Sequence, residues 1–173
     1  MIQDIPDDDW MLGSALTPAF RAMAEAGLVF DALTLPRHLP NLIKLLDRHP
    51  DLAVVIDHGS KPSIATGAID DWAEAMETLA QNTKASVKLS GLVTEAGADW
   101  TADRLQPYVN ILLNTFGPGR MIWGSDWPVC MLASTYDRWC DATATLLSDV
   151  SDVDLAGIMG GNAIQTYQLK MVR

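Results

Sequence analysis

Short apolar runs that stop abruptly in titratable residues alternate along this chain with longer stretches of helical apolar spacing. Thr17-Pro18 sets a cap residue before a first-turn proline, and Gly27 follows Ala26, which predicts a helix over 17–26. The run 28–35 reads as a strand. Residues 40–48 place Leu42, Ile43, Leu45 and Leu46 on one helical stripe. Val54, Val55 and Ile56 are β-branched and uninterrupted, as in a strand covered on both faces. Trp72, Met76 and Leu79 give 70–81 helical spacing, and 85–91 reads as a shorter strand. Residues 101–116 turn Leu105, Val109, Leu112 and Leu113 inward as a helix, with Gly117 after it. Met121-Ile122-Trp123 is a last strand, too short for a helix and punctuated by Gly124 and Pro128. The remainder is helical, with breaks near Ser151 and at Gly160-Gly161.

Strand, helix, strand, helix with short connections implies parallel strands and an α/β fold. The pattern holds four clear strands and admits a fifth at the very start, so about five βα units are expected. No Gly-x-Gly-x-x-Gly and no Gly-x-x-x-x-Gly-Lys occurs, which counts against nucleotide-binding versions of this layout. A closed (β/α)8 barrel typically takes about 250 residues, more than the 173 present, so the pattern fits a small open sheet or part of a barrel. No repeat or low-complexity linker divides the chain, and 1–173 reads as one domain.

Composition narrows the partners. The formal charge is -10, from 22 acidic against 12 basic residues, and no basic run appears. Nucleic acid and anionic membrane surfaces are therefore not expected as partners. No apolar stretch approaches a membrane span, and no signal peptide opens the sequence. The two cysteines, Cys130 and Cys140, have neither CxxC nor metal-ligand spacing, so reduced thiols in the cytoplasm are the default expectation.

Two strand ends carry the candidate chemistry. Asp126 follows Met121-Ile122-Trp123-Gly124-Ser125, and His58 follows Val54-Val55-Ile56-Asp57. Parallel strands can bring such ends together although they lie far apart in sequence, and in barrel folds the C-terminal strand ends hold the active site. The competing readings are a capping Asp126 and a structural His58.

Several segments, taken in order, resemble a known family. They are Ile2-Gln3-Asp4-Ile5-Pro6-Asp7-Asp8, Leu28-Val29-Phe30-Asp31, Pro36-Arg37-His38-Leu39-Pro40, Val55-Ile56-Asp57-His58 with Lys61-Pro62, Val87-Lys88-Leu89-Ser90-Gly91-Leu92-Val93-Thr94-Glu95-Ala96, Gly124-Ser125-Asp126-Trp127-Pro128-Val129-Cys130, and Gly161-Asn162-Ala163. Together they resemble the C-terminal two-thirds of an amidohydrolase-related protein of the sugar-lactone branch, the L-fuconolactonase and L-rhamnonolactonase-like enzymes. The segment 89–96 is what points to lactones.

The resemblance implies a partial (β/α)8 barrel with its N-terminal strands missing and its site at the strand ends. It implies that Asp126 activates the attacking water and that His58 is its partner or, with Asp126, a metal ligand. The family opens with a strand bearing a His-x-His pair, which lies outside this sequence. His58 and Asp126 alone are short of the three protein ligands of a catalytic zinc. The cofactor is accordingly left open between one divalent metal, such as zinc, and none.

For lactone hydrolysis, Asp126 is expected to be desolvated behind Trp123 and Trp127, so that its raised pKa suits a base. Lys61 and Arg37 are candidate cations for the oxyanion or the product carboxylate, against a surface ion pair for each. His38 divides between substrate contact and loop capping. Glu95 is a candidate for sugar hydroxyls and Trp127 for stacking on a sugar face. Asp57 is expected to orient or cap, Asn162 to cap the last helix, and His49 to be inert. Trp10 and the acids 7–9 are expected in a rim loop. Two alternatives stand beside a lactonase: a metal-dependent decarboxylase acting on a carboxylated ring, and a non-catalytic piece that needs a partner to supply strands. An incomplete barrel leaves two strand edges open, which favours association, including homo-oligomers.

Overall fold

The computed structural model describes residues 2–170. Four parallel strands, β1 (Val29–Ala32), β2 (Ala53–Ile56), β3 (Ser86–Leu89) and β4 (Met121–Trp123), form one sheet in the order β1-β2-β3-β4. Sequential order without reversal is what a barrel segment has and what a doubly wound sheet lacks. The possible fifth strand at the start is not formed. Ile2–Asp4 is a 3-10 turn, and the segment that follows is polar, with the Asp7 carboxylate accepting the Asp9 amide at 3.0 Å. Pro6 and three consecutive acids give that segment turn chemistry, not strand alternation.

Helices α1 (Thr17–Glu25), α2 (Leu39–Arg48), α3 (Asp70–Asn82), α4 (Leu92–Ala96), α5 (Ala102–Phe116), α6 (Tyr136–Leu146), α7 (Asp152–Ala156) and α8 (Asn162–Thr166) fill the connections. The expected helices near 17–26, 40–48, 70–81 and 101–116 correspond to α1, α2, α3 and α5. Thr101 caps α5 and Thr135 caps α6, each hydroxyl accepting the backbone amide three residues on. Among the described residues, no helix is long and apolar enough to cross a membrane.

One face of the sheet sits on the helices. Ala32, Val54, Ile56, Val87, Leu89 and Met121 join Leu42, Leu45, Met76, Leu79, Leu105 and Leu112 in a single core. The alternate residues face the other way. Asp31 is level with Val55, Val55 with Ser86, and Lys88 with Ile122, so Asp31, Val55, Lys88 and Ile122 share the second face.

Polar clasps close the ends of the sheet. At the foot, Arg120 donates to the carbonyls of Ala80 and Thr83 at 3.1 and 3.0 Å and to that of Phe116 at 3.2 Å. Asn162 was expected to cap α8; its amide instead donates to the carbonyls of Pro118 and Met121 at 2.8 and 2.7 Å. It begins the helix and has no free amide in front of it to accept, because a π-turn at Gly157–Gly161 runs straight into α8.

At the other end, the buried Trp72 of α3 donates its indole N–H to the Gly59 carbonyl at 2.7 Å, just beyond β2. Trp72→Phe removes the N–H donor and part of the buried ring, stranding this carbonyl and leaving a void beside it. The expected cost is about 1–3 kcal/mol in urea unfolding, and an unchanged midpoint would show the bond to be dispensable.

Candidate active site

Each strand ends at the same rim, and the residues after β2, β3 and β4 meet there. After Ile56 the chain makes a tight turn, Asp57–Ser60, followed by Lys61; His58, Ser60 and Lys61 have φ of 53°, 60° and 52°. Non-glycine residues rarely hold left-handed backbone, and each costs of order 1–3 kcal/mol unless its surroundings enforce it. The enforcement is visible. Ser60 and the fully buried Thr34 share a hydroxyl–hydroxyl bond of 2.8 Å, Lys61 N donates to the His58 carbonyl at 2.8 Å, and Trp72 holds Gly59.

His58 takes the middle of the site. Its Nδ1 is hydrogen-bonded to Ser90 Oγ at 2.7 Å, and its Nε2 lies 3.5 Å from Asp126 Oδ1. The ring lies directly over Gly91, whose φ is 65°: a Cβ there would stand 2.6 Å from the ring carbon Cγ. Only glycine both adopts this backbone and leaves room for the ring.

Asp126 follows Gly124, whose amide extends the ladder to the Leu89 carbonyl at 3.1 Å, and whose carbonyl accepts from the Trp139 indole at 3.0 Å. Asp126 is itself left-handed, with φ of 56°. Its side chain is 12 % exposed. Trp127, the neighbour the sequence suggested for its shielding, is itself 67 % exposed. Trp123 is turned toward α6, donating its indole N–H to Thr143 at 2.9 Å.

Burial dominates the electrostatics. It pushes Asp126 above the ordinary carboxylate range, against the pull of His58 and Lys61, while Asp57 and Glu95 add to the rise. Burial also pushes His58 below 6.5, against the attraction of Asp126 and Asp57 and with the help of Lys61 and Lys88. A neutral imidazole thus stands beside a carboxyl whose affinity for a proton is enhanced. Lys61 and Glu95 form an ion pair at the same rim, each partly buried. Glu95 comes from α4, the short helix that Gly91 opens.

The remaining sequence candidates are placed differently. Arg37 donates to Asp8 at 2.6 Å and to the Gln3 carbonyl at 3.2 Å. His38 is fully buried, accepts the Leu35 amide on Nδ1 at 3.1 Å and sets Nε2 3.4 Å from Asp8. Both are committed to the loop of residues 7–9, the capping reading of His38. His49 ends α2 and packs its ring on Phe20 at 5.7 Å. Cys130 and Cys140 are free thiols. Ser90, Thr34 and Lys88 were not singled out from sequence, though Ser90 ends an apolar strand as His58 and Asp126 do, and Lys88 is a charge inside one.

His58 Nε2 and Asp126 Oδ1 converge, but among the described residues no group of three His, Cys, Asp or Glu side chains could hold an ion. The chain's own residues are one donor short of a catalytic zinc set, and no step below passes through a metal.

Comparison with known proteins places these features. The Amidohydrolase family model matches residues 2–169. An L-fucono-1,5-lactonase from Burkholderia ambifaria is 42% identical over 98% of this chain and 60% of its own length. An L-fucono-1,5-lactonase from Burkholderia multivorans is 35% identical over 82% of this chain and 51% of its own. The crystal structure of a Burkholderia multivorans amidohydrolase with bound zinc superposes with a TM-score of 0.93 at 31% identity, covering 98% of this chain and 63% of that one. The chain therefore spans about half to three-fifths of the relatives it matches, as a partial barrel does.

The lowered His58 sets a sign for stability. The unfolded imidazole takes up a proton near 6.5, the folded one only at lower pH. Acid therefore favours the unfolded chain, and His58 destabilises the fold progressively as pH falls from about 6.5 through its folded value. Asp126 acts in the opposite sense, because its raised folded value lets the native state bind a proton first. In His58→Gln the loss of stability below 6.5 is expected to be shallower than in the wild type, measured as urea midpoints across pH; parallel curves would contradict this.

Proposed function

Because this chain belongs to the amidohydrolase family, we propose that it opens a sugar lactone of the L-fuconolactone kind by adding water to the ring carbonyl. The observation that carries the reading is the His58–Asp126 pair, Nε2 3.5 Å from Oδ1 at one strand-end rim, with one group held neutral and the other made more basic by burial.

Lactone hydrolysis forms one C–O bond and breaks another. Asp126 accepts a proton from the attacking water as its oxygen bonds to the carbonyl carbon. The oxyanion that develops is met by His58. When the ring C–O bond breaks, the leaving alkoxide takes a proton from the acid side of the pair, and the product is the open-chain hydroxy acid. Glu95, held by Lys61, accepts from sugar hydroxyls. Trp127, exposed beside Asp126, offers a face to the sugar's C–H surface. Ser90 fixes the imidazole from behind. A decarboxylase reading has no comparable support. A carboxylated ring needs an unpaired cation to receive it, whereas Lys61 and Arg37 are each already paired with a carboxylate.

Asp126→Asn tests this directly. Turnover of L-fucono-1,5-lactone, followed by acid release, is expected to fall by about 10²–10⁴-fold with no loss of thermal stability. Retained turnover would remove Asp126 from the mechanism, and a wild-type chain inert toward neutral sugar lactones would end the reading.

A second reading is favoured by the sheet itself: four strands with β1 and β4 at its ends, where a closed barrel has eight. Large apolar side chains lie exposed after β4, at Val129, Met131, Leu132 and Tyr136. On this reading the chain works in association, as a homo-oligomer or with a polypeptide that supplies further strands. Sedimentation of the purified chain is expected to show a species heavier than 18.8 kDa; a well-behaved monomer with cooperative melting would count against it.

A further inference from the structure

Strand β3 carries a charge in its middle. Lys88 lies on the sheet face away from the helices, and the register explains what it meets there. Val55 is level with both Asp31 and Ser86, so two residues further along Asp57 comes level with Lys88. The Lys88 ammonium lies 2.7 Å from Asp57 Oδ1 and 2.9 Å from Asp31 Oδ1. From the C-terminal end of the chain, Tyr167 donates its hydroxyl to Asp31 Oδ1 at 2.6 Å, and its ring centroid is 5.6 Å from the ammonium. Burial works against the charge on Lys88, but the carboxylates of Asp57 and Asp31 beside it outweigh that and raise the ammonium above its usual range. Burial and the bond to Asp31 push Tyr167 up to about 12.

Asp57 precedes His58 directly, at the point where β2 passes into the left-handed turn. Ser60 and Gly59 are held from the far side of that turn, by Thr34 and Trp72. On the near side, the side-chain tether of Asp57 is Lys88. Without its ammonium, two carboxylates would face each other across the sheet with no cation between them, and Asp57 would lose the side-chain contact that holds its end of the turn.

We propose that Lys88 is a positioning residue for His58: by fixing the Asp57 carboxylate it sets the turn that aims the imidazole at Asp126 and Ser90. Tyr167 and Asp31 hold the ammonium from the opposite end, so the C-terminal segment supports the rim through the sheet. A merely stabilising ion pair would leave the ring where it is.

The orientation of the ring can be read without turnover. In a nitrogen-15 NMR spectrum of the imidazoles at alkaline pH, the ring of neutral His58, assigned by loss of its signals in His58→Gln, is expected to give two widely separated nitrogen signals, those of one fixed tautomer. In Lys88→Met these signals are expected to collapse toward their mean as the ring loses its fixed partners. Lys88→Arg keeps a cation and is expected to restore the wild-type pattern. Should Lys88→Met fail to fold, Asp57→Asn loosens the same tether with the cation in place and is expected to move the His58 signals in the same direction. The proposal is overturned if the wild-type ring is already averaged, if folded Lys88→Met (or Asp57→Asn in its place) keeps the wild-type pattern, or if Lys88→Arg loses it as Lys88→Met does. The consequence for turnover rests on the lactonase reading; the ring signature does not, so a chain that opens no lactone but shows these shifts sinks only that reading.

Discussion

Parallel pairing is the constraint on which the rest depends. Because β1 to β4 run the same way in sequential order, every strand delivers its following residue to the same rim. His58, Ser90 and Asp126 lie 32 and 36 positions apart along the chain yet end within hydrogen-bond or ion-pair reach of one ring, His58 to Ser90 at 2.7 Å and His58 to Asp126 at 3.5 Å. The sheet keeps this arrangement because one of its faces is fully committed to the helices, so no strand can slip by one residue without turning core outward.

That commitment also explains where strain is tolerated. The turn after β2 and the turn after β4 both hold non-glycine residues in left-handed backbone, and both do so at the His58–Asp126 pair. The contacts that hold them, Thr34 to Ser60, Trp72 to Gly59 and Trp139 to Gly124, reach in from buried positions. Local backbone cost is thereby spread over the core, which is how a small rim can keep two titratable groups at fixed distance while shutting out much of the water that would relax them.

What was readable from the sequence follows the same physics. A β-branched run that stops in a titratable residue marks a strand end, so His58 and Asp126 could be found from pattern alone. The contacts between strands could not. Nothing in the sequence marks Ser90 or Lys88 as a partner of another strand; the register puts them beside His58 and Asp57. Side-chain direction was equally hidden. Trp127 was expected over Asp126 and points to solvent, Asn162 was expected to cap a helix and instead binds the foot of β4, and Arg37 and His38 turn to Asp8. In each case the residue type was compatible with two partners, and only the path of a loop decided between them. The start of the chain failed as a strand for a simpler reason: its apolar positions are too few to outweigh Pro6 and the acids behind it.

The ion pair between Lys61 and Glu95 has a further meaning for selection at the rim. Two opposite charges that already cancel present a wall rich in donors and acceptors but with little net field. A guest bearing its own charge must first part them, giving up one attraction to gain another. An uncharged guest covered in hydroxyls need only slip its O–H groups among theirs. On the proposed reading, a wall of this kind would favour neutral, hydroxyl-rich guests over charged ones.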